Sequence, residues 1–166
     1  MSRRGGPVRR EGGGFVIELD AEDRATLVGL IGQLRDEIAS DGRAEHLRRL
    51  FPAAYHDDAE HEAEYQRLVH EDLASTRLAS LVTVGEVLGR DPAAGTLSLS
   101  EDELDALMRA LNDLRLVIGT LLDVSEDDDA DDVGSDDPAY GHVQLYGYLG
   151  WLLEGVVRAR IDGGPD

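Results

Sequence analysis

Cysteine is absent from this 166-residue sequence, and so is lysine: all sixteen basic residues are arginine. The first absence excludes a disulfide framework, a thiolate metal site, a cysteine nucleophile and a thiol switch within the chain itself. Aromatic residues are few, at 5%, and tryptophan occurs once. No apolar run nears the roughly 18 residues that a membrane-spanning helix needs. Residues 1–10 carry arginines with no apolar stretch behind them, so no secretory signal is expected and the cytoplasm is the expected location. Signatures of covalent catalysis and phosphate binding are also missing. There is no G-x-S-x-G elbow, and no Gly-Lys-Ser/Thr loop to cradle phosphate. The chain reads as non-enzymatic, with no catalytic residue and no cofactor expected.

Acid is what the sequence has in excess. Thirty-five acidic against sixteen basic residues give a net charge of −19. Such a surface repels nucleic acid and anionic membrane and favours solubility. The 42% hydrophobic content and the length fit one folded domain with a real core.

The apolar spacing predicts a mainly α-helical fold, a bundle of about four helices with a small N-terminal β-hairpin or strand. Residues 1–14 read as a flexible basic arm and 15–162 as one helical domain. Phe15, Ile17 and Leu19 alternate as in a strand, and Val8 to Glu11 can pair with them around Gly12, Gly13 and Gly14. Asp20 is placed to cap a first helix whose stripe is Leu27, Leu30, Ile31, Leu34 and Ile38. Arg43 to Phe51 fits two further helical turns. A second helix is expected from about Asp57 to Gly89, with Tyr65, Leu68, Val69, Leu73, Leu78, Leu81, Val82 and Leu88 inward. Gly89 suits the left-handed residue that ends many helices.

Ser100 and Glu103 have capping-box spacing, and Leu99 and Leu104 sit where a hydrophobic staple would close. The helix behind them carries Leu104, Leu107, Met108, Leu111, Leu114, Ile118, Leu121 and Leu122, and is expected at the centre of the core. Residues 125–137 hold eight acids and read as a mobile solvated loop. A last helix follows Asp137 and Pro138, with Tyr146, Leu149, Leu153, Val156, Val157 and Ile161 as its inner side.

Four groups of residues carry chemistry worth weighing. His56, Asp57, Asp58, Glu60, His61, Glu64, His70 and Glu71 crowd into sixteen positions. His56, Asp57, His61 and Glu64 are the metal candidates, because His61 and Glu64 lie one helical turn apart. An enzyme using the His56–Glu71 cluster is therefore the alternative reading. The same residues also suit a hydrated helix start, where acids are favoured. The loop from Glu126 to Asp132 is rich in oxygen ligands, but with Asp129 at position one of an EF-hand, Val133 and Tyr140 fall where acids belong.

Arg3, Arg4, Arg9 and Arg10 are candidate phosphate contacts, set against the strong opposing charge of the rest of the chain, so that direct DNA binding would need a partner's help. Arg115, flanked by Leu114 and Leu116, fits either a structural ion pair with a neighbouring helix or a partner contact. Tyr148 and Trp151 share a face of the last helix distinct from that of Tyr146. That face is either a partner-binding surface or a second packing side, and, if exposed, it also leaves room for a homodimer.

Three stretches resemble a small actinobacterial family of uncharacterised function. They are Leu50 to Tyr55, Leu111 to Gly119 before the acid-rich loop, and Tyr146 to Leu152; the strand from Phe15 to Leu19 leading into a helix agrees. Members of that family are often encoded beside the ClpS protease adaptor, and some are labelled oxidative-stress transcriptional regulators. The resemblance implies a regulator that acts through transcription machinery, with a sigma factor as partner. Lacking cysteine, this chain cannot sense oxidation through its own thiols.

Overall fold

The computed structural model describes residues 6–40, 45–47, 49–51, 59–91, 94–122 and 140–162. Three strands open and flank the fold: β1 (Val8–Glu11), β2 (Gly14–Glu18) and β3 (Thr96–Leu99). Among the described residues there are four α-helices, α1 (Ala21–Ser40), α2 (Ala59–Leu88), α3 (Glu101–Leu122) and α4 (Tyr140–Asp162), with β3 between α2 and α3. Each helix packs on the next in chain order. The expected mainly α-helical bundle with a small β element is the fold observed.

The sheet is antiparallel in the order β1-β2-β3, so the N-terminal hairpin gains a third strand from a segment eighty residues away. Val8, Phe15, Ile17, Leu97 and Leu99 form its buried face. Residues 8–14 thus belong to a paired hairpin rather than to a flexible arm. Gly12 turns it with φ of 62°. At Gly14 a side chain would begin 2.5 Å from the Leu99 carbonyl oxygen, so only glycine lets β2 approach β3 there.

The helix starts follow local chemistry. The Asp20 carboxylate accepts the Asp23 N–H at 2.8 Å. At α3 the Ser100 N–H donates to the Glu103 carboxylate at 3.0 Å, and the Glu103 N–H donates to the Ser100 hydroxyl at 3.2 Å, completing the capping box. Burial pulls the Glu103 carboxyl upward, but the Ser100 N–H and the Arg90 guanidinium outweigh it and hold it below the usual range. α3 is the bundle's centre, with Leu104, Leu107, Leu111, Leu114 and Ile118 buried.

Several expectations give way. Glu45–Leu47 is a single 3-10 turn rather than two helical turns. The left-handed residue after α2 is Asp91, with φ of 37°, not Gly89. The helix tightens first, the Arg90 N–H reaching the Val87 carbonyl, and the chain turns at the next residue, Asp91. Buried Arg24 holds that turn by donating to the carbonyls of Arg90, Asp91, Ala94 and Thr96. The inner face of α2 is Leu81, Val84, Val87 and Leu88, while Leu68 and Val82 are exposed. On α4 the buried stripe is Leu149, Leu152, Val156 and Ala159, which leaves Val157 and Ile161 facing outward.

Candidate partner-binding groove

The N-terminal segment lies against α4, and the contact depends on one residue. A side chain at Gly155 would begin 2.9 Å from the Pro7 ring and 3.7 Å from Val8. Glycine at this position of an otherwise regular helix lets Gly6 and Pro7 sit down on it. Beside that contact runs a groove of about 390 Å³ lined by β1 and α4, whose walls include Arg9, Arg10, Trp151, Glu154 and Arg158.

Trp151 is the dominant side chain at this groove. It is 52% exposed although it is the chain's one tryptophan. Tyr148, one turn earlier, lies 6.1 Å away between ring centroids and backs it. Tyr148 is half-buried with its hydroxyl inside, near the Asp20 and Asp23 carboxylates but without a well-formed hydrogen bond. Burial first, then Asp23 and Asp20, push its pKa far above that of an ordinary tyrosine, so the phenol stays neutral. Tyr148 anchors α4 against the start of α1, and Trp151 is what remains available.

The arginines of the groove are ordered by carboxylates. Arg9 pairs with Glu11 at 3.3 Å and with Glu18 at 3.5 Å on the outer face of the sheet. Arg10 reaches Glu101 at 3.2 Å and lies 5.1 Å over the Phe15 ring, its cross-strand neighbour. Arg158 pairs with Glu154 one turn back on α4. These pairs are exposed and each adds little stability, but they fix where the positive charges stand. The fold thus brings Arg9, Arg10 and Trp151 to one place, although they are separated by 140 residues of chain. Arg3 and Arg4 lie outside the described residues.

Arg115 is elsewhere. It runs between α3 and α4, its guanidinium 4.8 Å over the Tyr146 ring and against the backbone of Gly150. Among the described residues it has no carboxylate partner, and its Nε is buried without a hydrogen bond. The expected ion pair of this helix belongs instead to Asp113, which is 2% exposed and bound by Arg77 of α2. Stacking on an aromatic face stabilises the Arg115 cation in place of a countercharge, while its Nε–H stays unpartnered.

Of the four metal candidates, the structure describes only the positions of His61 and Glu64 on the chain. His56 and Asp57 lie outside the described residues, as does the acidic loop at 125–137. His61 falls on α2 and Glu64 on its exposed surface. His70 stacks on Phe51 at 4.2 Å, a packing role. Among the described residues no group of three histidines or acids is arranged to hold a metal ion, and no helix is long and apolar enough to cross a membrane.

Sequence reasoning missed Pro7, Gly155 and Arg158. A glycine within a helix is a weak signal of close approach, but it names no partner.

The model of a family described as a domain of unknown function, DUF2017, matches residues 4–160. No curated protein and no solved structure matches the chain.

Proposed function

From the premise that this chain belongs to the DUF2017 family, we propose that it is a non-enzymatic adaptor or regulatory protein that binds another protein through the β1–α4 groove. The observation that carries this reading is Trp151, half exposed beside ordered arginines on a rigid helix. Large exposed aromatics flanked by arginine are the side chains that contribute most at protein interfaces. The resemblance noted in the sequence extends the reading to a cytoplasmic, stress-response transcriptional regulator whose partner is a sigma factor. Such a regulator reaches DNA through that partner. Arg9 and Arg10 are already engaged by carboxylates, and the chain as a whole repels phosphate.

The test is affinity capture of the tagged full chain from its native lysate, in parallel with Trp151→Ala and with Leu121→Ala as an exposed control on α3. A protein retained by wild type and Leu121→Ala but lost with Trp151→Ala supports the reading. Retention by all three, or no protein partner with or without oxidative stress, overturns it.

A further inference from the structure

Where α3 and α4 meet, an arginine lies on each of two glycines. At Gly150 the Nε and guanidinium carbon of Arg115 stand 3.4 and 3.5 Å from the position where a side chain would begin. At Gly119, one turn beyond Arg115 on α3, the Nη1 of Arg49 stands 3.4 Å from that position and the Tyr146 ring edge 3.3 Å. Tyr146 therefore adjoins both cations, with Arg115 4.8 Å over its face. The fold supplies acceptors to its other covered arginines. Buried Arg24 donates to four carbonyls, Arg77 binds Asp113 and the Leu50 carbonyl, and Arg160 pairs with Asp105 and Glu101. Arg115 is partly buried too. Yet among the described residues neither it nor Arg49 has a carboxylate or carbonyl to donate to, and the Arg115 Nε is closed off from water. The facing stretches of the two helices offer none either: residues 114–122 and 140–153 contain no acid, in a chain that has thirty-five.

We propose that Arg49 and Arg115 bind the phosphate group of a small anion beside the Tyr146 ring. A phosphate group carries about two negative charges near neutral pH, which two guanidiniums from different elements match. Their forked donors suit its oxygens, whereas a lone carboxylate is served by one arginine. The net charge of −19 works against long polyanions. A small anion is less exposed to it, because screening at physiological salt confines each charge to about 8 Å. The site shares no residue with the β1–α4 groove, so it stands or falls separately from the reading of that groove.

Inorganic phosphate is titrated into the full chain by calorimetry at constant ionic strength, with chloride in its place as the control. Saturable binding at one site is expected. Arg115→Met and Arg49→Met should each weaken it at least about tenfold, since each removes charge-assisted hydrogen bonds. Arg49 is exposed, so its loss leaves the core intact and cannot act through unfolding. Lysine at position 115 should not restore binding, because an ammonium lacks the fork. Phosphate should also raise the melting temperature of wild type and of Arg109→Met, an exposed arginine of α3, but not that of Arg115→Met. Heats that do not saturate overturn the proposal, as does binding that survives both methionine variants. A chain whose acids at 125–137 are changed to amides separates one further occupant. It should bind phosphate within about threefold of wild type. If phosphate binds to that chain and not to wild type, carboxylates of this protein hold the arginines and the proposal falls.

Discussion

Replacing Arg77 by alanine strips Asp113 of the one charged partner it has among the described residues, while leaving the carboxylate 2% exposed in the α2–α3 interface. A buried ion pair broken from one side costs about 3–5 kcal/mol, most of it the desolvation of the orphaned charge. The Arg77 side chain is 22% exposed, so some water reaches the site and the low end, about 3 kcal/mol, is expected. Loss of the Arg77 Nε hydrogen bond to the Leu50 carbonyl adds to this. The opposite change, Asp113→Asn, should cost about 1 kcal/mol or less. The amide oxygen can still accept from Arg77, and no buried charge remains at position 113.

The pH dependence has a definite sign. Burial raises the Asp113 carboxyl above its ordinary value, against the lowering effect of Arg77. A raised carboxyl binds its proton more tightly in the folded state. Its stabilising contribution is therefore complete below the unfolded value of 3.8 and is lost as pH rises through the raised folded value. Removing Arg77 raises the group further, so the difference between Arg77→Ala and wild type should shrink as pH falls from 7 toward 5. Urea unfolding of wild type and both variants at several pH values measures this directly. Equal losses for Arg77→Ala and Asp113→Asn, or a difference independent of pH, would refute the reasoning.

Three further perturbations follow from geometry. Ser100→Ala removes one half of the α3 capping box and should cost about 1 kcal/mol in denaturant unfolding, with Ser100→Thr restoring most of it. Gly155→Val places a branched side chain where Pro7 sits 2.9 Å from a bare Cβ position; about 1–3 kcal/mol of destabilisation and a shift in Trp151 emission are expected. Arg24→Met deprives four carbonyls around the α2–β3 connection of their donor, and about 3 kcal/mol should be lost in thermal or urea unfolding. Lysine at position 24 should not rescue it, because a point ammonium cannot span carbonyls that a forked guanidinium reaches.

The helices were legible where their signals are local. Asp20, Ser100 and Glu103 act within three residues of themselves, and the spacing of Leu104, Leu107, Leu111, Leu114 and Ile118 reports a face that really is buried. The inner faces of α2 and α4 were read less well, because both helices carry leucine and valine around more than half their circumference. Periodicity then fits two neighbouring stripes, and tertiary packing chooses between them. On α4 that choice fell to Leu149, Leu152, Val156 and Ala159, with small Gly155 and Ala159 admitting the N-terminal segment. β3 escaped for a related reason: Leu99 was assigned to a staple over α3, and it is buried, but within a strand whose pairing residue, Phe15, is remote in sequence.

The groove itself could not be read along the chain, because nothing local joins Pro7 to Gly155. Arg9 and Arg10 looked like a phosphate-binding arm in isolation; once they stand in a strand opposite Val16 and Phe15, the same two charges become the rim of a cleft. Trp151 looked equally suited to packing or to display. What decided it was the position of the buried stripe: with Leu149 and Leu152 turned into the core, a residue between them must point away from it. The hairpin alone would be too small to hold its shape. Docked on α4 through Gly155 and tied to α3 through Arg10 and Glu101, it becomes a fixed edge beside a fixed aromatic. Preorganisation of this kind lowers the entropy cost of binding a partner. The same tie makes a separate demand: if Gly155→Val loosens the hairpin without unfolding the helices, partner capture should weaken even though every groove side chain is still present.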